Sequence, residues 1–449
     1  VINIPLTAWP VAWGDVERAL ADTDLDSLNG DSTAALLRVR SRLEKAMPAG
    51  VTDFGFSLGG TDEARVIRTF EYTPREDVEA NASLAWKGER FAVNLSASVV
   101  DDPADGDEIR PDGTYLGVRL GNWMLSAGWQ DRWWGPGRDG SLILSTNSRP
   151  SPGIGIQRIA STAPEWKWLR RLGPWTLTSF MNELDDERDV KDAWLWGFRA
   201  SFRPIPSLEI GLSRTAQWCG EDRLCDLETF FRVLNGNDNK GANVDEEDEP
   251  GNQLAGIDMR WVLPNEIPVA LYMQWIAEDT RRTGFSLRLW MQQFGIEHWG
   301  RLGNLSHRTH FEIVDTNTHL GALGEGSAVP DEGYSHFIFT SGYRYHGRTI
   351  GHGMDNDGLS LSLGSTLVDE AGNNWNITAR YMEINRNGEP DPDHPLSPTP
   401  QDHFDIQVSH DRQFRFGRIH LGVSYKDIDD QFSGNASSGL GGFIRWTSQ

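Results

Sequence analysis

The feature that most constrains this chain is a period-two alternation of apolar and polar residues after Pro48, with no long apolar run. In Trp194–Arg203 the aromatic residues and one alanine take one face, and leucine, glycine, arginine and serine take the other. The alternation recurs over Phe91–Val99, Leu359–Leu363 and Ile419–Tyr425. Such spacing predicts β-strands with one apolar face. No segment reaches the roughly 18 apolar residues of a membrane-spanning helix.

The connections between these strands separate a soluble sandwich from a membrane barrel. Long polar connections, such as Cys219–Asn252 and Asn317–Asp355, alternate with tight ones, such as Gly121–Asn122 and Arg412–Arg415. Outer-membrane barrels have long loops on one side and short turns on the other, whereas Greek-key sandwiches show no such alternation. The pattern predicts an all-β transmembrane barrel of about 18 antiparallel strands over residues 50–449. Barrel closure removes strand edges that lipid cannot hydrogen-bond.

Residues 1–49 follow a helical period instead. Their apolar spacing predicts helices over Trp13–Ala21 and Ser32–Met47, joined as a small hairpin that Pro48 ends. Both ends of the counted barrel fall on the short-turn side. The sequence therefore predicts a helical region in the periplasm and long loops at the cell surface.

Charge and composition narrow the possible functions. The net charge of −23 over 449 residues repels phosphate backbones, so nucleic acid is not an expected partner. The 19 tryptophans suit bilayer interfaces, stacking on sugar rings, or both. No hydrolase, zinc-protease or phosphate-loop motif occurs, and no carboxylate pair stands out for glycoside cleavage. The chain is therefore not predicted to be an enzyme or to hold a cofactor, and Ca²⁺ at a sugar site is left as the one open alternative.

A Trp-Trp-Gly-Pro-Gly segment opens one of the long connections. Trp133 and Trp134 offer ring faces to a sugar, and Arg138 and Asp139 offer hydrogen bonds to its hydroxyls or to a uronate. The alternative is a structural plug in the barrel mouth, because Ser141–Gly155 is compact, largely uncharged and rich in glycine, serine and proline.

The connection from Trp218 to Gln253 contains a second set of candidate sugar ligands. Carboxylates and amides bind sugar hydroxyls directly or through Ca²⁺, although an acidic run is also typical of a solvated loop. The candidates are Trp218, Asp238, Asn239, Asn243, Glu249 and Asn252.

Arginines on the polar strand faces, such as Arg199 and Arg380, leave two alternatives open. They either pair with carboxylates of in-folded loops or line an anion conduit.

The two cysteines lie close together in the same polar connection. Cys219 and Cys225 are predicted to form a local disulfide in an oxidising compartment, and two free thiols are the alternative.

Several motifs resemble the Wzi family of outer-membrane proteins, which act in attaching capsular polysaccharide to the cell surface. They are Leu-Thr-Ala-Trp-Pro at Leu6–Pro10, Trp-Trp-Gly-Pro-Gly at Trp133–Gly137, Gly-Asn-Asp-Asn at Gly236–Asn239, and Glu-Pro-Gly-Asn-Gln-Leu-Ala-Gly at Glu249–Gly256. The resemblance runs from about Leu6 to Trp446. It implies an eighteen-stranded outer-membrane barrel, a periplasmic helical bundle and lectin-like binding of surface polysaccharide.

Together these observations predict a non-enzymatic, monomeric outer-membrane barrel that attaches or organises capsular polysaccharide or exopolysaccharide. Its other expected partners are membrane lipid and lipopolysaccharide. The alternative function is a porin or a polysaccharide export channel.

Overall fold

A computed structural model describes residues 2–23, 30–46, 49–235, 251–264, 267–278, 289–320, 328–386, 390–392 and 394–448. Among these residues, none of the helices combines the length and the apolarity needed to cross a membrane.

Eighteen antiparallel strands close into one barrel, as the alternation predicted. Numbered β1 to β18 along the chain, they are Thr52–Thr61, Val78–Lys87, Phe91–Asp101, Tyr115–Leu120, Trp123–Trp129, Pro152–Arg158, Trp175–Glu183, Trp194–Ile205, Leu208–Trp218, Gly251–Val262, Val269–Glu278, Leu289–Leu302, Leu305–Leu320, Leu359–Val368, Asn374–Ile384, Gln401–Phe414, Gly417–Asp430 and Ala436–Thr447. Each strand pairs with the next, and β1 pairs with β18 from Ser57↔Thr447 to Thr61↔Phe443. The barrel therefore has no free edge.

The two faces of the strands follow the sequence pattern. On β8, Arg199 and Ser201 are buried inside the barrel, whereas Trp194 on the opposite face is 40% exposed. On β17, Leu421 and Val423 are 45% and 61% exposed on the outer wall. An apolar exterior and a polar interior are the arrangement expected of a barrel in lipid, because only the interior offers polar partners.

Two helices, α1 (Trp13–Ala21) and α2 (Gly30–Ala46), lie at the short-turn end of the barrel. They pack together through an apolar cluster that includes Leu20, Leu36 and Leu43. The Asp15 carboxylate accepts a hydrogen bond from the Ser161 amide (2.9 Å), and the Arg38 guanidinium donates one to the Ser306 hydroxyl (3.0 Å). Both contacts fix the pair of helices to turns of the barrel.

A third helix, α3 (Leu227–Asn235), falls in the connection Cys219–Asn252, for which the sequence predicts a polar loop. The Asp226 carboxylate caps its start by accepting the Thr229 amide at 2.7 Å. The helix packs its Phe230 and Val233 against the outer wall of the barrel rather than covering the lumen.

Candidate functional site

The interior of the barrel is occupied by the chain itself. Residues 2–9, the connection 62–77, the connection 130–151 and residues 330–358 all contribute buried side chains to one interior cluster or to its polar surroundings. The geometry of this filling decides what the barrel can conduct or bind.

The Trp-Trp-Gly-Pro-Gly segment lies inside this cluster. Trp133 and Trp134 are 1% and 0% exposed, and they form a short antiparallel ladder with Ala8–Trp9. The Trp133 ring lies 4.3 Å from that of Phe70, measured between centroids. The segment therefore lies in the barrel as a structural plug, the alternative to a sugar site. Neither indole presents a free face to a ligand.

Two inward-facing side chains of the wall hold the backbone of this segment. Gln274 on β11 donates to the Trp134 carbonyl (2.8 Å) and accepts from the Leu142 amide (2.8 Å). Glu312 on β13 accepts from the amides of Arg138 and Asp139, the latter at 3.0 Å. Gly135 in the motif has a φ of +146°, which L side chains rarely adopt, and a β-carbon there would also lie 2.7 Å from the amide nitrogen of Gln274, so the position favours glycine.

The side chain of Asp139 is tied to β15, two strands along the wall from β13. Arg380 on β15 donates to both of its carboxylate oxygens at 2.6–2.9 Å, and a further nitrogen of Arg380 reaches Asp405 at 2.9 Å. Burial raises the pKa of the Asp139 carboxyl, but the Arg380 guanidinium outweighs burial and holds that pKa below its usual value. Asp139 is therefore an ionised anchor of the plug.

Arg138 takes part in a neighbouring ion cluster. Its guanidinium donates to Glu297 at 3.1 Å, and the same fully buried carboxylate also accepts from Arg260 and from Arg308 (2.8 Å). The Glu297 carboxylate on β12 thus joins the plug to Arg260 on β10 and Arg308 on β13. The sequence analysis does not predict that Gln274, Glu297 and Glu312 hold the plug. The one signal in the sequence is that each is a long polar side chain at an inward position of a strand.

The connection 62–77 adds another buried carboxylate. Glu71 accepts from His420 (2.8 Å), from Arg65 (2.9 Å) and from Ser409. Burial raises the pKa of Glu71, but these hydrogen bonds and the charge of Arg65 outweigh burial and lower it to about 2. This connection is thereby fixed to β16 and β17.

At the long-loop end, Arg149 binds three carboxylates at once. Its guanidinium donates to Asp105 (2.7 Å), Asp107 (2.9 Å) and Asp112 (3.0 Å). Asp105, Asp107 and His346 are the one metal-ligand grouping found among the described residues. The guanidinium already supplies the positive charge that a cation would bring, so this grouping fits an internal ion pair better than a metal site.

The inward arginines follow the first of the two alternatives set out from the sequence. Arg199 on β8 pairs with Asp258 on β10, across β9, at 2.6 Å, as Arg380 pairs with Asp139 of the in-folded connection. Arg203 donates to the carbonyls of Ile2 and Ile4, which brings the start of the chain into the lumen. The terminal nitrogens of these guanidinium groups bond to protein partners, which fits pairing inside the lumen better than an anion conduit.

Of the ligands predicted in the connection from Trp218 to Gln253, the structure describes two, Trp218 and Asn252. Trp218 is 5% exposed and packs between Trp194 and Phe230 on the outer wall, and Asn252 is 2% exposed, with its amide donating to Gln217 at 2.9 Å. The remaining predicted ligands of this connection lie outside the described residues; they are Asp238, Asn239, Asn243 and Glu249. Cys219 and Cys225 are joined by a disulfide.

A cleft of about 500 Å³ opens beside this disulfide at the long-loop rim. Its lining includes Asp186, Lys191, Asp192, Trp194 and Glu221. The Glu221 amide donates to the Lys191 carbonyl at 2.8 Å, which joins the two loops that form the walls. A hydrogen bond from Asp186 raises the pKa of Asp192. The cleft therefore combines a partly exposed indole with several hydrogen-bonding carboxylates.

The fold and its interior define the class: an antiparallel β-barrel with a lipid-compatible exterior and a lumen filled by its own connections. Residues 57–432 match the family model described as capsule assembly protein Wzi. The chain belongs to this family. A protein from the cps region of Klebsiella pneumoniae, described as uncharacterized, is 31% identical over 389 residues, covering 86% of this chain and 74% of its own.

A solved structure extends the likeness over the whole chain. It is Wzi of Escherichia coli, described as an outer-membrane protein involved in group 1 capsule assembly and as a carbohydrate-binding β-barrel. The match has a TM-score of 0.85 at 27% identity and covers 100% of this chain and 94% of the other. The prediction of an outer-membrane barrel of this family is confirmed.

Proposed function

We propose that this chain is a lectin-like protein that binds capsular polysaccharide or exopolysaccharide and attaches it at the cell surface. The observation that carries the proposal is the filled lumen, in which Arg380, Glu297 and Glu312 tie the plug to the wall. A porin or an export channel needs an open path, so this filling favours a binding protein. The carbohydrate binding described for the Escherichia coli relative supports the same assignment.

In this proposal the long loops face the outside of the cell and α1 and α2 lie in the periplasm. The chain acts as a monomer without enzymatic activity. Trp133, Trp134, Arg138 and Asp139 then serve recognition indirectly, by keeping the lumen closed beneath the loops, because their side chains are committed to internal contacts.

The polymer would be bound at the rim cleft. Trp194 is the first residue of β8, at the long-loop rim, and its exposed face offers stacking to the C–H face of a sugar, worth about 1 kcal/mol by analogy with aromatic pairs. The carboxylates of Asp186 and Asp192 accept hydrogen bonds from hydroxyl groups. Each contact is weak, but repeats along a polymer add through avidity. Asp238, Asn239, Asn243 and Glu249 remain predicted ligands, directly or with Ca²⁺.

Polymer binding by a Trp194→Ala variant tests this site. We expect weaker retention of polysaccharide on cells and weaker signal on a glycan array with detergent-solubilised protein. Trp168→Ala is the matched control, because Trp168 is 88% exposed in the turn 159–174 at the opposite end of the barrel. Equal retention by the two variants would place the sugar site elsewhere, and porin-like conductance of the native protein in planar bilayers would favour the channel alternative.

A further inference from the structure

Helix α3 lies against the part of the barrel wall that faces away from the lumen. Its Val233 is fully buried in a cluster with Ala216 and Trp218, and Met181 and Trp196 pack at the edge of that cluster. All four barrel residues belong to the outward set of β7–β9, since the inward set of β9 includes Gln217, which reaches the lumen loops. The helix is therefore an external element of the barrel.

The contacts also give the direction of the helix along the wall. The disulfide links Cys225, just before the helix, to Cys219, just after the last residue of β9. At the other end, the Leu234 carbonyl accepts from Arg214 at 2.7 Å. Arg214 precedes Trp218 by four positions, or roughly 13 Å of strand, and a nine-residue helix has a similar length. The helix thus descends from the rim along β9.

Arg214 explains what the helix covers. It is on the outward face, in register with two apolar neighbours, Phe198 of β8 and Ala255 of β10. An arginine exposed to lipid there would be costly. Here its guanidinium instead bonds carbonyls at the helix C-terminus, which carry partial negative charge, and the Gln253 side chain (3.1 Å). The helix shields a polar patch of the wall.

The surface that α3 turns away from the barrel carries large apolar side chains, with the exposed Glu228 in its first turn and the exposed Asn235 at its end. Leu227 and Phe231, one turn apart, are 74% and 57% exposed, and Leu224 just before the helix is 43% exposed. Below Arg214 on the same strand, Leu212 is 45% exposed on the outer wall. The exposed apolar side chains of the helix, Leu227 and Phe231, thus extend the apolar outer face of the barrel over the level at which Arg214 lies.

We propose that α3 is a lipid-contacting element, held by the disulfide and by Arg214 so that Leu227 and Phe231 lie among the acyl chains of the outer leaflet. The continuity of these side chains with the apolar band of the barrel selects lipid as the occupant of this surface. The inference concerns the attachment of this segment to the membrane and is independent of what the protein binds.

Spin labels placed on the full-length protein in lipid vesicles test the proposal. The native cysteines are disulfide-bonded, so Leu227→Cys and Phe231→Cys provide single reactive thiols. Leu421→Cys on the outer wall is the lipid reference, and Asn435→Cys in the exposed turn after β17 is the water reference. The measurement is the ratio of collisions with oxygen, which concentrates in hydrocarbon, to collisions with a polar nickel chelate, which hydrocarbon excludes.

We expect both helix positions to give ratios within about twofold of Leu421→Cys and about tenfold above Asn435→Cys, because apolar and polar reagents partition oppositely into hydrocarbon. A ratio matching Asn435→Cys would place the helix in water and overturn the proposal. Protection from both reagents would mean that a protein, such as a second copy of this chain, covers the helix, and would overturn it equally. Unchanged heat-modifiable mobility on gels verifies that each labelled barrel is folded.

Discussion

Replacing Arg380 by methionine tests whether the lumen plug is held by buried charge. Arg380 is 3% exposed and contacts the carboxylates of Asp139 and Asp405 at 2.6–2.9 Å. Removing the cation leaves two buried carboxylates without a counter-charge, and breaking such a pair costs about 3–5 kcal/mol. We therefore expect R380M to lower the free energy of unfolding by this amount, measured by urea unfolding in detergent micelles with tryptophan fluorescence.

The double variant R380M with Asp139→Asn is the control. It removes one of the stranded charges, so it should recover more than about 1 kcal/mol relative to R380M, as expected for groups in direct contact. A loosened plug should also raise single-channel conductance of R380M in planar bilayers. Native stability together with native conductance in R380M would show that apolar packing, and not the ion pair, holds the plug.

Three further outcomes are expected. Leu421→Arg should destabilise the barrel in lipid by about 2–4 kcal/mol, and Ser424→Arg on the opposite face by much less; equal losses would contradict the assignment of faces. Replacing both Cys219 and Cys225 by serine should lower the free energy of unfolding by about 2 kcal/mol, because the disulfide removes the entropy of a short loop from the unfolded chain. An intact mass that shows two free thiols in the native protein would refute the disulfide. The pKa of Asp105 is lowered to about 2, because its hydrogen bonds to arginines outweigh burial. The contribution of Asp105 to the stability of the folded protein should therefore be complete above pH ~4 and fade towards pH ~2. A melting temperature that is flat over that range would contradict this expectation.

The barrel wall could be predicted from the sequence because lipid imposes a strict alternation on every strand. The same rule placed Trp194 and Arg199 on opposite faces before any contact was known. The filling of the lumen could not be predicted in detail. An inward glutamate such as Glu312 looks the same in sequence whether it faces water or the amides of a plug, and the partner lies far away along the chain.

The sequence of α3 contains apolar spacing that predicts a helix. Leu227, Phe230, Phe231 and Leu234 stand at helical spacing, with Asp226 as a cap before them. The acidic run that follows is typical of a solvated loop, and it favours that interpretation for the whole connection. By contrast, no spacing rule predicts that Trp133 and Trp134 are buried, because paired indoles suit a sugar site and a packed interior equally well.

The way in which Gln274 and Glu312 hold the plug has a consequence for how the sequence can diverge. Both side chains recognise main-chain amides and carbonyls, which every residue except proline offers in the same form. Substitutions at the residues whose backbone they bind therefore leave these contacts intact, provided that the chain keeps its path. Related barrels can thus exchange one such connection for another of different composition, while the pair of Asp139 and Arg380 must be inherited together.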